Sequence, residues 1–408
     1  MLHPFAEPRS TLLYTDFGPD YVVWCGNQPT AAELQTATGV DNVTTSDKLA
    51  ECLSGVVFVL KGVNSDTGVE IQPPALPQGD FTVDTDKLHT ALVEARVFKT
   101  AGEQRLLREA NVVGSEALLA TMAATQPGWK EFQTEAMFGY FAKFVGGARY
   151  WPYGPIAASG PRCAVLHYGH SALPNDQTIQ DGDMCLLDMG CEAHGFGSDI
   201  TVTYPANGKY TAEQAAIYNI VWAAHKAVSA EVKPGCHWPS MHALAYKVIG
   251  QGLLDLGVLK GDLEEILSAN IVSLFMPHGL GHLIGLETHD VGGYPATLGD
   301  VKRDERFGHR SVRCGRPLEE NMVLTIEPGC YFNRTLIDAA LQDDRAKFLD
   351  AGKLDQYTPV GGVRLEDNVL VTATGGESFT FVPRTVAEVE LACAGGLHSL
   401  QQLKDMRK

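Results

Sequence analysis

Four carboxylates stand inside apolar, strand-like runs of this 408-residue chain. Asp188 falls in Leu186-Leu187-Asp188-Met189-Gly190, and Asp199 heads Ser198-Asp199-Ile200-Thr201-Val202-Thr203-Tyr204. Glu327 falls in VLTIEPG (residues 323–329) and Glu366 in GGVRLED (residues 361–367), each at or near the centre of its run. A carboxylate where a strand wants a hydrophobe is costly unless a cation shares its burial. A chain that makes this placement four times needs a sheet scaffold with positive charge held inside it.

The spacing of the two aspartates adds a geometric expectation. A hairpin centred on Ala193-His194 pairs Asp188 with Asp199 across the strands, which brings their Cβ atoms to roughly 5 Å. Like charges opposed on a sheet repel, and a divalent cation between them removes the penalty. Glycines crowd three histidines in MPHGLGH and HDVGGY: His278, His282 and His289. Glycine at that density implies backbone held close to something, and imidazole is a common transition-metal ligand. Of the three, His278 also fits a wholly structural role. Strand alternation puts Arg364 on the face of Glu366, so an ion pair accounts for that glutamate and leaves Glu327 unexplained. Asp188, Asp199, His282, Glu327 and Glu366 form an oxygen-rich set with one nitrogen, suited to Mn²⁺, Co²⁺ or Zn²⁺. So many carboxylates point to two ions and to metal-assisted hydrolysis.

The surroundings narrow the class. Lys+Arg number 32 against 49 Asp+Glu, for a net charge of −17. That surface repels phosphate backbones and anionic membranes, so neither nucleic acid nor a membrane is an expected partner. Nine cysteines without a CxxC pair read as reduced thiols. Residues 1–8 lack the basic and apolar regions of a signal peptide, and no transmembrane run occurs, so the expected location is cytoplasmic. Length suggests two or three domains. VVFVL (56–60) reads as a buried strand, 80–86 as a connection, and 87–113 as one helical stretch with Glu103, Arg105 and Arg108 on its polar side. The expected boundary lies between residues 95 and 96. Further on, Thr211-Ala212-Glu213-Gln214 has capping-box spacing ahead of a helix that stops before Pro234-Gly235. A second helix spans about 240–256 and closes at Gly257. No internal repeat or low-complexity tract is visible.

The strings LLDMG, SDIT, PANGKY, MPHGLGH, HDVGGY, LTIEPG and GGVRLED closely resemble the prolidases, metal-dependent Xaa-Pro dipeptidases. The wider family of that fold includes aminopeptidase P, methionine aminopeptidase and creatinase. The resemblance runs in order from about Glu94 to Arg384. It implies an α/β (α+β) protein: a C-terminal pita-bread catalytic domain, residues 96–408, behind a small α/β domain, residues 1–95. VVFVLKGVNSDTG (56–68) resembles the later part of the family's first domain, so that domain is expected to be shortened.

By the same resemblance the five residues above ligate two divalent ions, Mn²⁺ first, around a bridging water that acts as nucleophile. Glu327 is then the general acid/base, and His289 hydrogen-bonds the scissile carbonyl. His167 contacts substrate beside the metals, Arg313 binds the C-terminal carboxylate, Arg364 supports Glu366 and the substrate, and Tyr153 lines the pocket. The implied substrate is a dipeptide ending in proline or hydroxyproline, and the implied assembly a homodimer. Two other readings stay open. Aminopeptidase P action on longer peptides is disfavoured by Arg313, and a non-catalytic binding role is disfavoured by the filled ligand positions.

Overall fold

The computed structural model describes residues 9–64, 68–170, 175–295, 299 and 301–408. The signal-peptide reading over 1–8 and the Ser65–Thr67 part of VVFVLKGVNSDTG lie outside the described residues. Two compact units are present, the first running to residue 64 and resuming over 68–92, the second covering 93–408.

In the first unit, strand β1 (Thr11–Tyr14) pairs in parallel with β2 (Asn42–Thr45). Between them lie helices α1 (Pro19–Cys25) and α2 (Ala31–Thr38). Thr30 caps α2 through a capping box, its Oγ1 accepting from the Glu33 amide at 3.3 Å while Glu33 Oε2 accepts from the Thr30 amide at 2.8 Å. Strand β3 (Gly55–Phe58) pairs in parallel with β4 (Phe81–Asp84). Two sequence expectations change here. The 56–60 run does form a strand, but Val56 is 56% exposed and Phe58 41%, with only Val59 buried. The 80–86 segment, expected as a connection, supplies the partner strand. A sheet of two strands covers little of either face, so an apolar run need not be an interior one.

The helical stretch expected over 87–113 is two helices, α3 (Leu88–Val97) and α4 (Ala101–Ala124). The break is at Thr100, whose backbone is extended and whose Oγ1 caps α4. Glu103, expected only as a polar-face residue, closes that capping box. Helix α5 (Glu131–Gly139) follows.

The second unit holds a three-stranded antiparallel sheet, with β6 (Met184–Asp188) between β5 (Ile156–Ser159) and β7 (Thr201–Pro205). Helix α6 (Ala212–Glu231) carries the expected capping box at Thr211. Helix α7 spans Trp238–Asp255, starting before residue 240 because Pro239 suits a first turn. Gly257 beyond its end has φ +74°. Ile217, Val221, Ala224 and Val228 of α6 share a dry core with Ala245, Ile249 and Leu253 of α7. Strand β8 (Val323–Ile326) pairs antiparallel with β11 (Asp367–Val371), which also pairs with β12 (Gly376–Ser378). Strands β9 (Gly329–Tyr331) and β10 (Gly362–Arg364) form a separate ribbon. Among the described residues, no helix is long and apolar enough to cross a membrane.

Candidate active site

The β6–β7 hairpin sets the two aspartates, in a register that differs from the expected one. Thr201, not Asp199, stands opposite Asp188, and Phe196 stands opposite Ala193. The turn therefore falls at His194-Gly195, whose φ angles are +53° and +86°. A two-residue turn of type I′, which matches strand twist, has positive φ at both positions, so Gly195 is the signal that locates this one. A shift of two residues keeps every side chain on its face. Asp199 becomes a diagonal neighbour of Asp188 on the same face, at the roughly 7–8 Å typical of such pairs. Gly190 permits the close approach: a Cβ there would sit 1.9 Å from the Ser198 carbonyl oxygen.

The glycines of MPHGLGH press backbone against backbone. A Cβ on Gly281 would meet the Thr325 carbonyl oxygen at 2.0 Å, and one on Gly279 the Ser311 oxygen at 2.3 Å. The segment bonds along β8: Thr325 N–H donates to the His282 carbonyl at 2.8 Å, and Glu327 N–H to Leu280 at 2.8 Å. His282 and Glu327 are thereby brought together, with Nε2 3.7 Å from Oε1. Glu327 lies one residue past the end of β8, and Glu366 lies between β10 and β11. Both were expected nearer a strand centre; each sits where the strand opens and a side chain can turn toward the site.

Arg364 has a different partner from the expected one. Its Nη2 donates to Asp188 Oδ2 at 2.7 Å, its Nε to Thr201 Oγ1 at 3.1 Å, and its Nη1 to Tyr331 Oη at 3.0 Å. Glu366 instead accepts from the Thr201 hydroxyl at 2.7 Å. Strand alternation continues neither through the break at Leu365 nor across to another sheet, so the same-face argument fails. Tyr331 Oη also lies 2.9 Å from His278 Nε2, and His278 Nδ1 lies 2.7 Å from the Gly279 carbonyl. The roles follow from the donors available: Arg364 donates to Tyr331, Tyr331 to His278, and His278 to Gly279. His278 is thus a neutral imidazole, held there by burial, which lowers its pKa to about 3.

These side chains meet around a cavity of about 200 Å³, whose walls include His167, Asp188, Asp199, His278, His282, His289, Arg313, Glu327, Arg364 and Glu366. Ligand atoms of Asp199, His282 and Glu366 lie within 4.8 Å of one another. His282 Nε2 is 3.3 Å from Asp199 Oδ2. Burial pushes Glu366 well above the usual carboxylate range, and the charges of Asp199, Glu327 and Asp188 push it further. Burial also raises Asp188, against the opposing charge of Arg364, and raises Glu327. Asp199 goes down despite burial, because it is hydrogen-bonded to His282. Burial opposes the charge on His282, yet the Asp199 bond lifts its pKa to about 9. Four carboxylates this close cannot all ionise without added positive charge. Asp188 Oδ1 is buried with no hydrogen-bond partner among the described residues, and so is the Tyr153 hydroxyl. An acceptor-rich cluster with an orphaned carboxylate oxygen fits a divalent cation.

The remaining expected residues divide. His289 packs its ring edge-on to His282, centroids 4.4 Å apart, and burial lowers its pKa to about 4. His167 is likewise lowered by burial. Partial burial lowers the pKa of Arg313, against the charge of Glu327. Tyr153 is not part of the cavity wall. Its hydroxyl is buried near Asp188 and Asp199, and burial with those charges keeps it protonated. Sequence reasoning missed Thr201, which bonds both Glu366 and Arg364, and Tyr331, which links Arg364 to His278. Thr201 stands in the quoted SDIT string, so its place next to Asp199 was the available signal; Tyr331 carried none.

Residues 105–373 match the model of Metallopeptidase family M24. The Xaa-Pro dipeptidase of Homo sapiens is 42% identical over 393 residues, covering 95% of this chain and 79% of its own. A probable Xaa-Pro aminopeptidase of Pyrenophora tritici-repentis is 37% identical, covering 95% and 82%. Among solved structures, Pseudomonas aeruginosa aminopeptidase PepP superposes with a TM-score of 0.74 at 31% identity, covering 94% of this chain and 82% of that one. The mixed α/β architecture is accordingly the pita-bread fold. A match of that extent, on a cavity suited to a cation, leaves one assignment: the chain belongs to metallopeptidase family M24.

Proposed function

We propose that this chain hydrolyses dipeptides ending in proline or hydroxyproline. Asp188, Asp199, His282, Glu327 and Glu366 would hold two divalent ions, Mn²⁺ first, with Co²⁺ or Zn²⁺ acceptable to the same donors. Ions bound there would lower the pKa of water and polarise a carbonyl. Glu327, its carboxyl raised by burial, would take the proton of the attacking water and deliver it to the departing prolyl nitrogen. His289, neutral at physiological pH, can donate one N–H to the scissile carbonyl without adding a charge. Arg313 would pair with the substrate carboxylate, and His167 would contact the peptide beside it. Arg364 would act through Asp188, to which it is bonded. Tyr153 is retained as a substrate-side group through its hydroxyl near Asp188.

The observation that carries this reading is the half-buried Arg313 on the wall of a cavity of about 200 Å³. A guanidinium there can pair with a C-terminal carboxylate close to the scissile bond, which a dipeptide supplies and a longer peptide does not. With Mn²⁺, Ala-Pro is expected to be cleaved faster than Ala-Pro-Ala, and chelation is expected to stop both. Preference for the tripeptide would favour aminopeptidase P action, which the structural likeness to aminopeptidase P supports. A purified protein that cannot be loaded with metal would favour a binding role on the same fold. We assign residues 1–95 and 96–408 as its two domains and expect a homodimer by light scattering.

A further inference from the structure

Away from the proposed metal ligands, one carboxylate gathers more donors than any of them. Glu131 opens helix α5 and is 1% exposed. Its Oε1 accepts from the Ser159 amide at 3.0 Å, the Ser159 hydroxyl at 2.7 Å and Arg162 Nε at 2.8 Å. Its Oε2 accepts from the Tyr168 hydroxyl at 2.7 Å and the Gln177 amide at 3.2 Å. Glu131 also donates its own amide to the Gln177 carbonyl at 3.0 Å. One buried side chain thus ties down the end of β5, the short turn after it, and the residue that follows His167.

The connection to the site is a single bond along the chain. His167 lies on the cavity wall, while its neighbour Tyr168, 2% exposed, reaches Glu131. The loop has other bonds too: Val165 N–H donates to Arg162 at 2.9 Å, Tyr168 N–H to Val165 at 3.2 Å, His170 N–H to His167 at 3.3 Å, and Asn333 Nδ2 to the Ala164 carbonyl at 3.2 Å. Of these ties, only the Tyr168 hydroxyl ends on a buried carboxylate that accepts five hydrogen bonds, and such a fully satisfied group is held rigidly.

We infer that Glu131 is a positioning residue for the substrate side of the site, acting through Tyr168 to hold His167 against the cavity. This rests on the proposed role of His167 in contacting substrate. The test uses Tyr168→Phe, which removes one bond and keeps the ring, alongside Glu131→Gln, which keeps the shape and removes the charge. In Mn²⁺-loaded full-length protein, Tyr168→Phe is expected to lower kcat/KM on Ala-Pro about tenfold, with bound metal unchanged. In a His167→Ala background the same substitution is expected to cost less than about twofold, since residues acting as a unit are not additive. Equal losses in both backgrounds, or loss of metal with activity, would overturn the inference. Amide exchange separates it from the functional reading. Both variants should speed exchange over 165–170 and leave 186–200 unchanged, whether or not any dipeptide is cleaved. Unaltered exchange at 165–170 in both variants would also overturn it.

Discussion

The two units bury opposite things. In the second, carboxylates and imidazoles are enclosed: Asp199, His282 and Glu366 are each at most 5% exposed, inside walls of Leu, Ile, Val and Tyr. In the first, the large apolar side chains face outward. Trp24 is 86% exposed, Val23 79% and Phe17 57%, and Val59 alone among its described hydrophobic residues is buried. Parallel strands in pairs, with short helices that bury no residue, offer no interior to fill. The contrast teaches that apolar content does not locate a core. A core forms where several layers close on each other, and only such an enclosure makes a charged cluster costly enough to demand a metal.

The largest effect that sharpens this contrast is chemical. Glu327→Gln should cut Ala-Pro hydrolysis about 10³-fold with the thermal transition unchanged, as general acid–base groups contribute on that scale. Trp24→Ala in the first unit should leave the rate within about twofold. A comparable loss from Trp24→Ala would break the separation. Next comes packing. Leu118→Ala in α4, at 0% exposure, should cost about 3 kcal/mol in urea unfolding. Val23→Ala should cost under about 0.5 kcal/mol. Equal costs would mean that the outer face of the first unit is covered in solution.

Taken per pH unit, the smallest effect is in acid. His242 of α7 is fully buried, neither ring nitrogen has a hydrogen-bond partner among the described residues, and burial lowers its pKa to about 3. His309, His278 and Arg306 face it and lower it further, while Asp304 opposes them. The unfolded chain takes up this proton near pH 6.5 and the folded chain only near 3. The stability His242 contributes is therefore complete above about pH 6.5 and is lost as pH falls toward 3, by at most about 1.4 kcal/mol per pH unit. His242→Leu should flatten that slope. An unchanged slope would show that the second unit's acid lability lies elsewhere.

Much of the site was legible because its chemistry conflicts with its surroundings. Asp188, Asp199, Glu327 and Glu366 stood out as carboxylates among strand hydrophobes, and all four line one cavity with His282. The capping boxes at Thr211 and Thr100 have equally local signatures, although the second was passed over as part of a longer helix. What could not be read depended on distant partners. The β6–β7 register follows from two positive φ angles at His194-Gly195, and Arg364 meets Asp188 across 176 residues of chain. Tyr331 carries no signal at all until Arg364 and His278 are seen on either side of it.

The sequence by itself determined the five candidate donors, the helices with capping boxes, and the presence of charge in apolar strands. Each is settled within a few residues, by side-chain chemistry or by bonds to a neighbouring amide. Tertiary structure alone decided which carboxylate meets Arg364 and which meets Thr201. It also decided that Glu131 gathers the loop behind His167, and that 56–60 lies open while Leu118 is enclosed. Those outcomes depend on which surfaces of separate elements close together, and residue type constrains that only weakly.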